Sequence, residues 1–281
     1  MSCDKNQPCL SLRQLWEPLC ISVDCGIFVL VHGYIDESYN ADVFTLSCLL
    51  GSLKTWTAMS SAWKRCLQRW NVKLKAEGRK PLSRYHAKDC GNLRAEFAGW
   101  SVDEQRTLTS DLIAIFKRHP VVVMAFSIDL KELYSVFPEA KQKAKPDAIG
   151  SVYRLMTKFL LYQIGREMGG RNRFVLIFDR GPYASSMLQG FNLVLADKGF
   201  EHAQCFPSFT SMGWEQCIPL QAADLIAYES FKEACRQINP RKRRKTLELL
   251  LDLNSFGGRT RWINRDALLA MRDAMQNKTG V

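Results

Sequence analysis

Apolar runs and amphipathic stretches follow one another along the chain and predict a mixed α/β protein. Residues 27–36 and 43–50 are rich in Val, Ile, Leu and Phe, and a short polar link between them predicts a β-hairpin. Residues 53–75 carry Trp, Met, Cys and Leu at three- and four-residue intervals, which is the period of an amphipathic helix. The folded part of the chain is therefore expected to begin with a hairpin and a long helix.

Helices and strands alternate along the rest of the chain. Predicted helices cover residues 101–117, 148–167, 184–198 and 220–237, and predicted strands cover residues 121–128, 173–179 and 201–209. Ser101, with Glu104 three residues later, has the pattern of a capping box. The apolar run from Phe174 to Phe178 is typical of a central strand that is buried on both faces. Together these elements predict a mixed sheet with helices on both faces.

The length of 281 residues suits one large domain with extensions. We expect an N-terminal extension over residues 1–26, the main domain over residues 27–238, and a basic helical C-terminal extension over residues 239–281. No apolar run approaches the roughly 20 residues of a membrane helix, and the first residues lack the features of a secretory signal. These observations predict a cytoplasmic protein with no membrane partner.

The basic residues are unevenly distributed, with a dense run after residue 239 in a chain of formal net charge +11. The residues predicted to contact a nucleic-acid backbone are Arg241, Lys242, Arg243, Arg244, Lys245, Arg259, Arg261 and Arg265. Such a patch attracts polyanions by releasing their counterions, although a charged run is more often a solvated helix surface. Nucleic acid, either DNA or RNA, is therefore the expected partner.

Three acidic residues stand at positions where a carboxylate is costly. Asp36 and Asp179 each end an apolar strand, and Asp224 lies in a stretch of helix that is otherwise apolar. If the two strands are neighbours, their carboxyl ends meet at one edge of the sheet, and the helix could supply the third group. Oxygen ligands of this kind suit Mg²⁺ or Mn²⁺. Each residue also has a structural explanation, as a turn former or as an acid near a helix N-terminus.

Glu37 and His86 are further candidates for the same site. In a regular strand Glu37 would point to the face opposite Asp36, so it joins the site only at a bulge or at the strand's end. His86 lies in a polar loop, where it could act as a general base, a phosphate donor or a metal ligand, or simply be an exposed loop histidine. The sequence contains no glycine-rich phosphate loop, nucleophile elbow or metalloprotease motif.

Four segments occur in a fixed order along residues 33–229. They are Tyr34-Ile35-Asp36-Glu37-Ser38, Tyr85-His86-Ala87, Phe178-Asp179-Arg180 and Gln221-Ala222-Ala223-Asp224-Leu225-Ile226-Ala227. Together they resemble the signature blocks of the domain of unknown function 3800 family, a branch of the RNase H-like superfamily. The resemblance implies an RNase H-like fold with a two-metal phosphodiesterase site.

By this similarity, Asp36, Asp179 and Asp224 match the acidic positions of the family, and Glu37 and His86 match its other polar positions. Tyr39 stands where the family usually has Gly. The resemblance therefore does not predict the conformation of this turn or the orientation of Glu37. The first functional prediction is a metal-dependent nuclease that acts on DNA or RNA. The alternatives are a nucleic-acid binder without catalysis, or a protein-interaction module of a defence or mobile-element system.

Overall fold

A computed structural model describes residues 20–23, 26–141, 145–215, 217–240, 242–251 and 260–276. The strands are β1 (Cys20–Val23), β2 (Gly26–Tyr39), β3 (Val43–Gly51), β4 (Val122–Asp129), β5 (Asn172–Asp179), β6 (Ser208–Met212) and β7 (Thr260–Ile263). The helices are α1 (Leu53–Ala76), α2 (Ala87–Gly91), α3 (Val102–Arg118), α4 (Leu130–Val136), α5 (Pro138–Lys141), α6 (Lys145–Met168), α7 (Ala184–Leu195), α8 (Ile218–Ile238), α9 (Lys245–Leu251) and α10 (Arg265–Gln276).

These strands form one seven-stranded mixed sheet in the order β6-β5-β2-β3-β4-β7, with β1 paired to the start of β2. The segment β2-β3-β4 is antiparallel, whereas β5 lies parallel to β2, β6 parallel to β5 and β7 parallel to β4. The predicted α/β class, a mixed sheet flanked by helices on both faces, is confirmed, and the RNase H-like topology stays a prediction. The long strand β2 lies between the antiparallel and the parallel parts of the sheet.

Two apolar layers hold the helices to the sheet. Helices α1, α3 and α8 cover one face, where Tyr34 and Ile177 point into the first layer. Helices α6 and α7 cover the other face, where Ile35 and Phe178 point into the second layer. Successive side chains of a strand point to opposite faces of the sheet. The layer that each of these residues enters therefore determines the face on which the following residues of β2 and β5 lie.

Short-range polar contacts set the ends of several elements. The Ser52 hydroxyl accepts a hydrogen bond from the backbone N–H of Thr55 at 2.9 Å and caps α1. The predicted capping box of Ser101 and Glu104 is present at the start of α3. In the turn between β2 and β3, the Asn40 side chain accepts hydrogen bonds from the backbone N–H groups of Asp42 and Val43. These contacts satisfy backbone donors that the helix starts and the turn would otherwise leave unpaired.

Two segments differ from the sequence prediction. The strand expected at residues 201–209 begins only at Ser208, and a 3₁₀ turn precedes it at Ala203–Cys205. Pro207 explains the late start, because it has no N–H to donate to a strand ladder. The segment after residue 239, expected to be helical, contains α9 and α10 and also contributes β7 to the sheet edge. Within the described residues, none of the helices has both the length and the apolar character that spanning a membrane requires.

Candidate active site

A cleft with a cavity volume of about 320 Å³ opens where β2 and β5 reach their carboxyl ends. Ile35 pairs with Phe178 in the parallel ladder, so Asp36 and Asp179 are the next residues on neighbouring strands. The start of α8 lies over the same edge of the sheet and contributes Asp224. All five residues predicted for the site line this cleft, namely Asp36, Glu37, His86, Asp179 and Asp224.

Strand alternation directs Asp36 and Asp179 to the face that α8 covers. Each lies two residues after a side chain of the first apolar layer, Tyr34 in β2 and Ile177 in β5. The first carboxylate accepts a hydrogen bond from the N–H of Glu37 at 2.8 Å, and the second accepts one from the N–H of Arg180 at 2.9 Å. The backbone at the strand ends therefore holds both carboxylates in place.

Glu37 joins the cleft from the opposite face of β2. Strand β2 stays regular through Tyr39, so the side chain points toward α6, as alternation requires. There the hydroxyl of Tyr153 donates a hydrogen bond to Glu37 Oε1 at 2.6 Å. The parallel pairing with β5 ends at Ile35, so the last residues of β2 extend beyond it. The strand's end, rather than a bulge, thus brings this carboxylate to the cleft.

Asp224 is fixed by contacts from two directions. Its Oδ2 accepts a hydrogen bond from the backbone N–H of Ala87 at 2.7 Å, which ties α8 to the loop that carries His86. The hydroxyl of Ser47 in β3 donates to the carbonyl oxygen of Ala223 at 3.1 Å. Helix α8 is therefore attached to the sheet at the residue next to the carboxylate.

His86 is held at the mouth of the cleft by a buried amide. Gln221 Oε1 accepts hydrogen bonds from the Trp63 indole N–H at 3.1 Å and from the Tyr85 N–H at 3.0 Å. The His86 ring, the next side chain along the loop, forms a 2.6 Å contact from Nδ1 to Asp89 Oδ2. One buried glutamine thus sets the position of the loop, and Asp89 sets the direction of the imidazole.

The charges in the cleft repel one another. Burial raises the pKa of Asp36 well above its usual range, and the nearby carboxylates Asp224 and Glu37 raise it further. Burial is also the main cause that raises the pKa of Asp224, to about 6. The pKa values of Glu37 and Asp179 are raised as well, again chiefly by burial. Four carboxylates therefore lie close together at a site where each negative charge is disfavoured.

Several cleft residues were not predicted from the sequence. The Arg84 guanidinium lies over the Trp214 ring, with its carbon 4.3 Å from the ring centroid, and both side chains line the cleft together with Lys88. The positive charge of Arg84 lowers the pKa of Asp179 and of Asp224 against the effect of burial. Arg84 and Lys88 flank the His86 segment, so a search for basic residues near the candidate histidine would have found them. Nothing in the sequence around Trp214 marks it.

Six of the predicted basic residues lie in the described part of the chain, and none of these six lines this cleft. Arg243 and Arg244 form ion pairs with Glu233 and Glu229, and Arg261 pairs with Glu167. Arg265 donates a hydrogen bond to the Ser135 hydroxyl. Lys242 lines a second cavity beside the end of α8, and Lys245 is the first residue of α9. Arg241 and Arg259 lie outside the described residues.

Considering only the residues that the structure describes, no group of three or more His, Cys, Asp and Glu side chains is already arranged to hold a metal ion. The oxygens of Asp36, Glu37, Asp179 and Asp224 instead accept the hydrogen bonds given above. What the cleft offers is a set of four carboxylates on three elements: β2 supplies Asp36 and Glu37, β5 supplies Asp179, and α8 supplies Asp224.

No protein-family model matches the chain, and no curated protein matches it. Among solved structures, the chain is similar to Bst-RNase HIII in complex with Mn²⁺, with 13% sequence identity and a TM-score of 0.38. The similar region covers 87% of this chain and 71% of that protein.

Proposed function

We propose that this chain is a metal-dependent nuclease that hydrolyses phosphodiester bonds in DNA or RNA. The observation that carries the proposal is the meeting of Asp36, Asp179 and Asp224 in one cleft, where burial raises the pKa of each. A divalent cation would compensate this charge, and carboxylate oxygens are the ligands that Mg²⁺ and Mn²⁺ prefer. As part of the same proposal, the chain is grouped with the domain of unknown function 3800 family on its four motifs.

The three aspartates would hold the metal. When bound, such ions activate water and stabilise the leaving oxygen of a phosphodiester. Glu37 adds a fourth carboxylate that Tyr153 orients, and it suits a role beside the attacking water. His86, directed by Asp89, is placed to donate a hydrogen bond to a phosphate or to accept a proton. Arg84 adds a positive charge on the same side of the cleft.

The test is cleavage of a mixed panel of labelled DNA and RNA, single-stranded and double-stranded, with Mg²⁺ or Mn²⁺. We expect Asp36→Asn and Asp179→Asn each to reduce cleavage by roughly 100-fold or more, because a ligand position is lost while shape is kept. Asp103→Asn is the matched control, since that aspartate is exposed on α3 with 93% of its side chain accessible. Calorimetric titration with Mn²⁺ should show binding to the wild type and weaker binding to Asp36→Asn.

Cleavage that persists in EDTA or in both cleft variants would contradict the proposal. A mobility shift without cutting under any metal would favour the binding protein without catalysis. Salt-insensitive binding to a protein, with no affinity for nucleic acid, would favour the interaction module. The panel thus separates all the functions that the sequence left open.

A further inference from the structure

One wall of the cleft combines an arginine, an aromatic ring and a lysine beside the carboxylates. Arg84, Trp214 and Lys88 line the same cavity as Asp179 and Asp224. Arg84 and Trp214, which contact each other, lie on separate loops, one before α2 and one before α8. The proposed metal site accounts for the carboxylates of this cleft but gives no role to the Trp214 ring.

The contact with Trp214 leaves the arginine able to bind an anion. The guanidinium carbon lies over the ring 4.3 Å from its centroid, and a guanidinium that contacts an aromatic ring in this way can still donate its N–H groups to a phosphate. Among the residues that the structure describes, Arg84 has its contact with Trp214 and no ion pair with a carboxylate. It nevertheless lies close enough to Asp179 and Asp224 to lower the pKa of each. A phosphate bound by Arg84 would therefore lie next to the carboxylates.

The aromatic side chains at the mouth of the cleft are accessible. Trp214 is only half-buried, and Tyr39 is 36% exposed on the same cavity. An accessible ring beside a basic side chain, as Trp214 lies beside Arg84, is the usual platform for unpaired bases, because every base has a face that can stack and the neighbouring base pairs of a duplex cover that face. The cavity volume of about 320 Å³ is at the low end of the roughly 300–1,000 Å³ typical of small-ligand sites, which suits one nucleotide rather than stacked base pairs.

We infer that the cleft takes single-stranded nucleic acid, with Arg84 on a phosphate next to the carboxylates and an unpaired base on Trp214. This inference rests on the proposed function, since it names the substrate class of the same site. It gives Arg84 and Trp214 the role of substrate-binding residues and Lys88 that of a second phosphate contact. The basic segment after residue 239 is not needed for it.

The experiment measures binding without cleavage, in the Asp36→Asn protein, which also removes one negative charge from the cleft. Fluorescence polarisation compares a short labelled single strand with the duplex of the same sequence, with and without Mg²⁺. We expect the single strand to bind at least about 10-fold more tightly. Equal or tighter binding of the duplex would overturn the inference, whatever the variants below show.

Three variants added to the Asp36→Asn protein locate the bound strand. Trp214→Leu should weaken single-strand binding about 10-fold and leave duplex binding unchanged, whereas Trp214→Phe should restore most of it. Arg84→Gln should weaken binding of all sequences and reduce the salt slope by about one. Arg69→Gln, an exposed arginine on α1, is the control and should change neither quantity. A Trp214→Leu protein with unaltered Tm and unaltered single-strand affinity would overturn the inference.

The two proposals fail in different ways. If wild-type protein cuts the panel while duplex is preferred, the nuclease stands and the single-strand inference falls. If the single strand binds at Trp214 and Arg84 as described while no metal supports cutting, the nuclease falls and the binding site stands.

Discussion

Asp36 and Glu37 show how two adjacent residues can enter one site by different routes. The first lies on the face of the sheet that carries Asp179 and that α8 covers, and the second lies on the other face, where Tyr153 donates a hydrogen bond to it. Each is held by one hydrogen-bond donor, and burial raises the pKa of each. At the scale of single residues, the site therefore combines fixed geometry with unfavourable electrostatics, and both properties can be measured.

The raised pKa of Asp224 predicts that this carboxylate destabilises the metal-free protein. Its pKa is about 6 in the folded chain against an ordinary value of 3.8, so between these pH values the folded state binds a proton that the unfolded state releases. Stability should therefore fall as the pH rises across this window. Asp224→Asn keeps an oxygen for the Ala87 N–H and removes the charge, so we expect it to stabilise the protein at pH 7 by about 1–3 kcal/mol.

Thermal denaturation in EDTA from about pH 4 to 8 checks this prediction. Most of the gain from Asp224→Asn should be lost as the pH falls from about 6 to about 4, because the folded wild type is then protonated and the unfolded chain approaches its own pKa. Addition of Mn²⁺ should then stabilise the wild type more than the variant. A difference in stability between the two proteins that stays constant over the whole pH range would show that the surroundings do not raise the pKa of Asp224.

Tyr153 is predicted to position Glu37. Its hydrogen bond lowers the pKa of that carboxyl group against the effect of burial, so Tyr153→Phe should raise the pKa further. We expect about 10-fold slower cleavage and an acid limb of the pH–rate profile displaced to higher pH. Tyr162→Phe is a matched control on the same helix, since its hydroxyl bonds Asp197 away from the cleft. A profile that keeps its shape and position would contradict the positioning role.

At the scale of elements, the loop before α2 depends on one buried side chain of α8. Gln221 is 5% exposed and accepts hydrogen bonds from both Trp63 and Tyr85, so it connects α1, the loop and α8. Through this contact, the segment that carries Arg84 and His86 is fixed against the helix that carries Asp224. The cleft is thus aligned by a hydrogen-bonded amide as well as by apolar packing.

Replacement of that amide should damage both stability and the site. Gln221→Leu leaves the Trp63 and Tyr85 N–H donors buried without an acceptor, and we expect a loss of about 2–3 kcal/mol in the free energy of unfolding. Cleavage should fall as well, because the His86 loop loses its anchor. Gln163→Leu, on a partly exposed part of α6, is the control and should cost less than about 1 kcal/mol. Denaturant titration and the cleavage assay together check this prediction.

The elements show which features a sequence pattern can predict. The hairpin, the long helices and the strand before Asp179 follow from local periodicity, and their predicted positions agree with the structure within a few residues. The adjacency of Asp36 and Asp179 required only that their strands pair, and the register provides it. Whether these residues form a metal site stays a prediction. Trp214 and Tyr153 could not be predicted, because their place in the cleft depends on how distant segments pack.

At the scale of the whole molecule, the part of the basic segment around Arg244 is bound to the main body. Arg244 donates two hydrogen bonds to Glu229, at 3.1 and 3.0 Å, and the Thr246 hydroxyl donates a third at 2.9 Å. Glu229 is 1% exposed and the Arg244 side chain is 33% exposed, so the carboxylate of this ion pair is removed from water. Part of the basic charge predicted for nucleic acid is therefore neutralised within the fold.

Removal of this arginine should destabilise the whole protein. Arg244→Met leaves the Glu229 charge buried without a positive partner and with only the Thr246 hydroxyl as a donor, and we expect a loss of about 3–5 kcal/mol. Arg243→Met is a matched control on the neighbouring residue. The Arg243 side chain is 44% exposed in its ion pair with Glu233, so its replacement should cost under about 1 kcal/mol. Urea denaturation monitored by circular dichroism distinguishes the two. Equal and small losses would show that the segment adds little to the fold.

The end of β2 has a consequence for protein engineering. Asp36 and Glu37 point to opposite faces of the sheet, so the cleft depends on the relative position of the helical layers on both faces. A designer who grafts only the His86 loop and α8 onto another scaffold would carry over His86 and Asp224 but lose Glu37 and its partner Tyr153. A transplant that keeps all four carboxylates must take β2 and β5 together with α6 and α8, which makes these four elements the smallest portable unit of the carboxylate site.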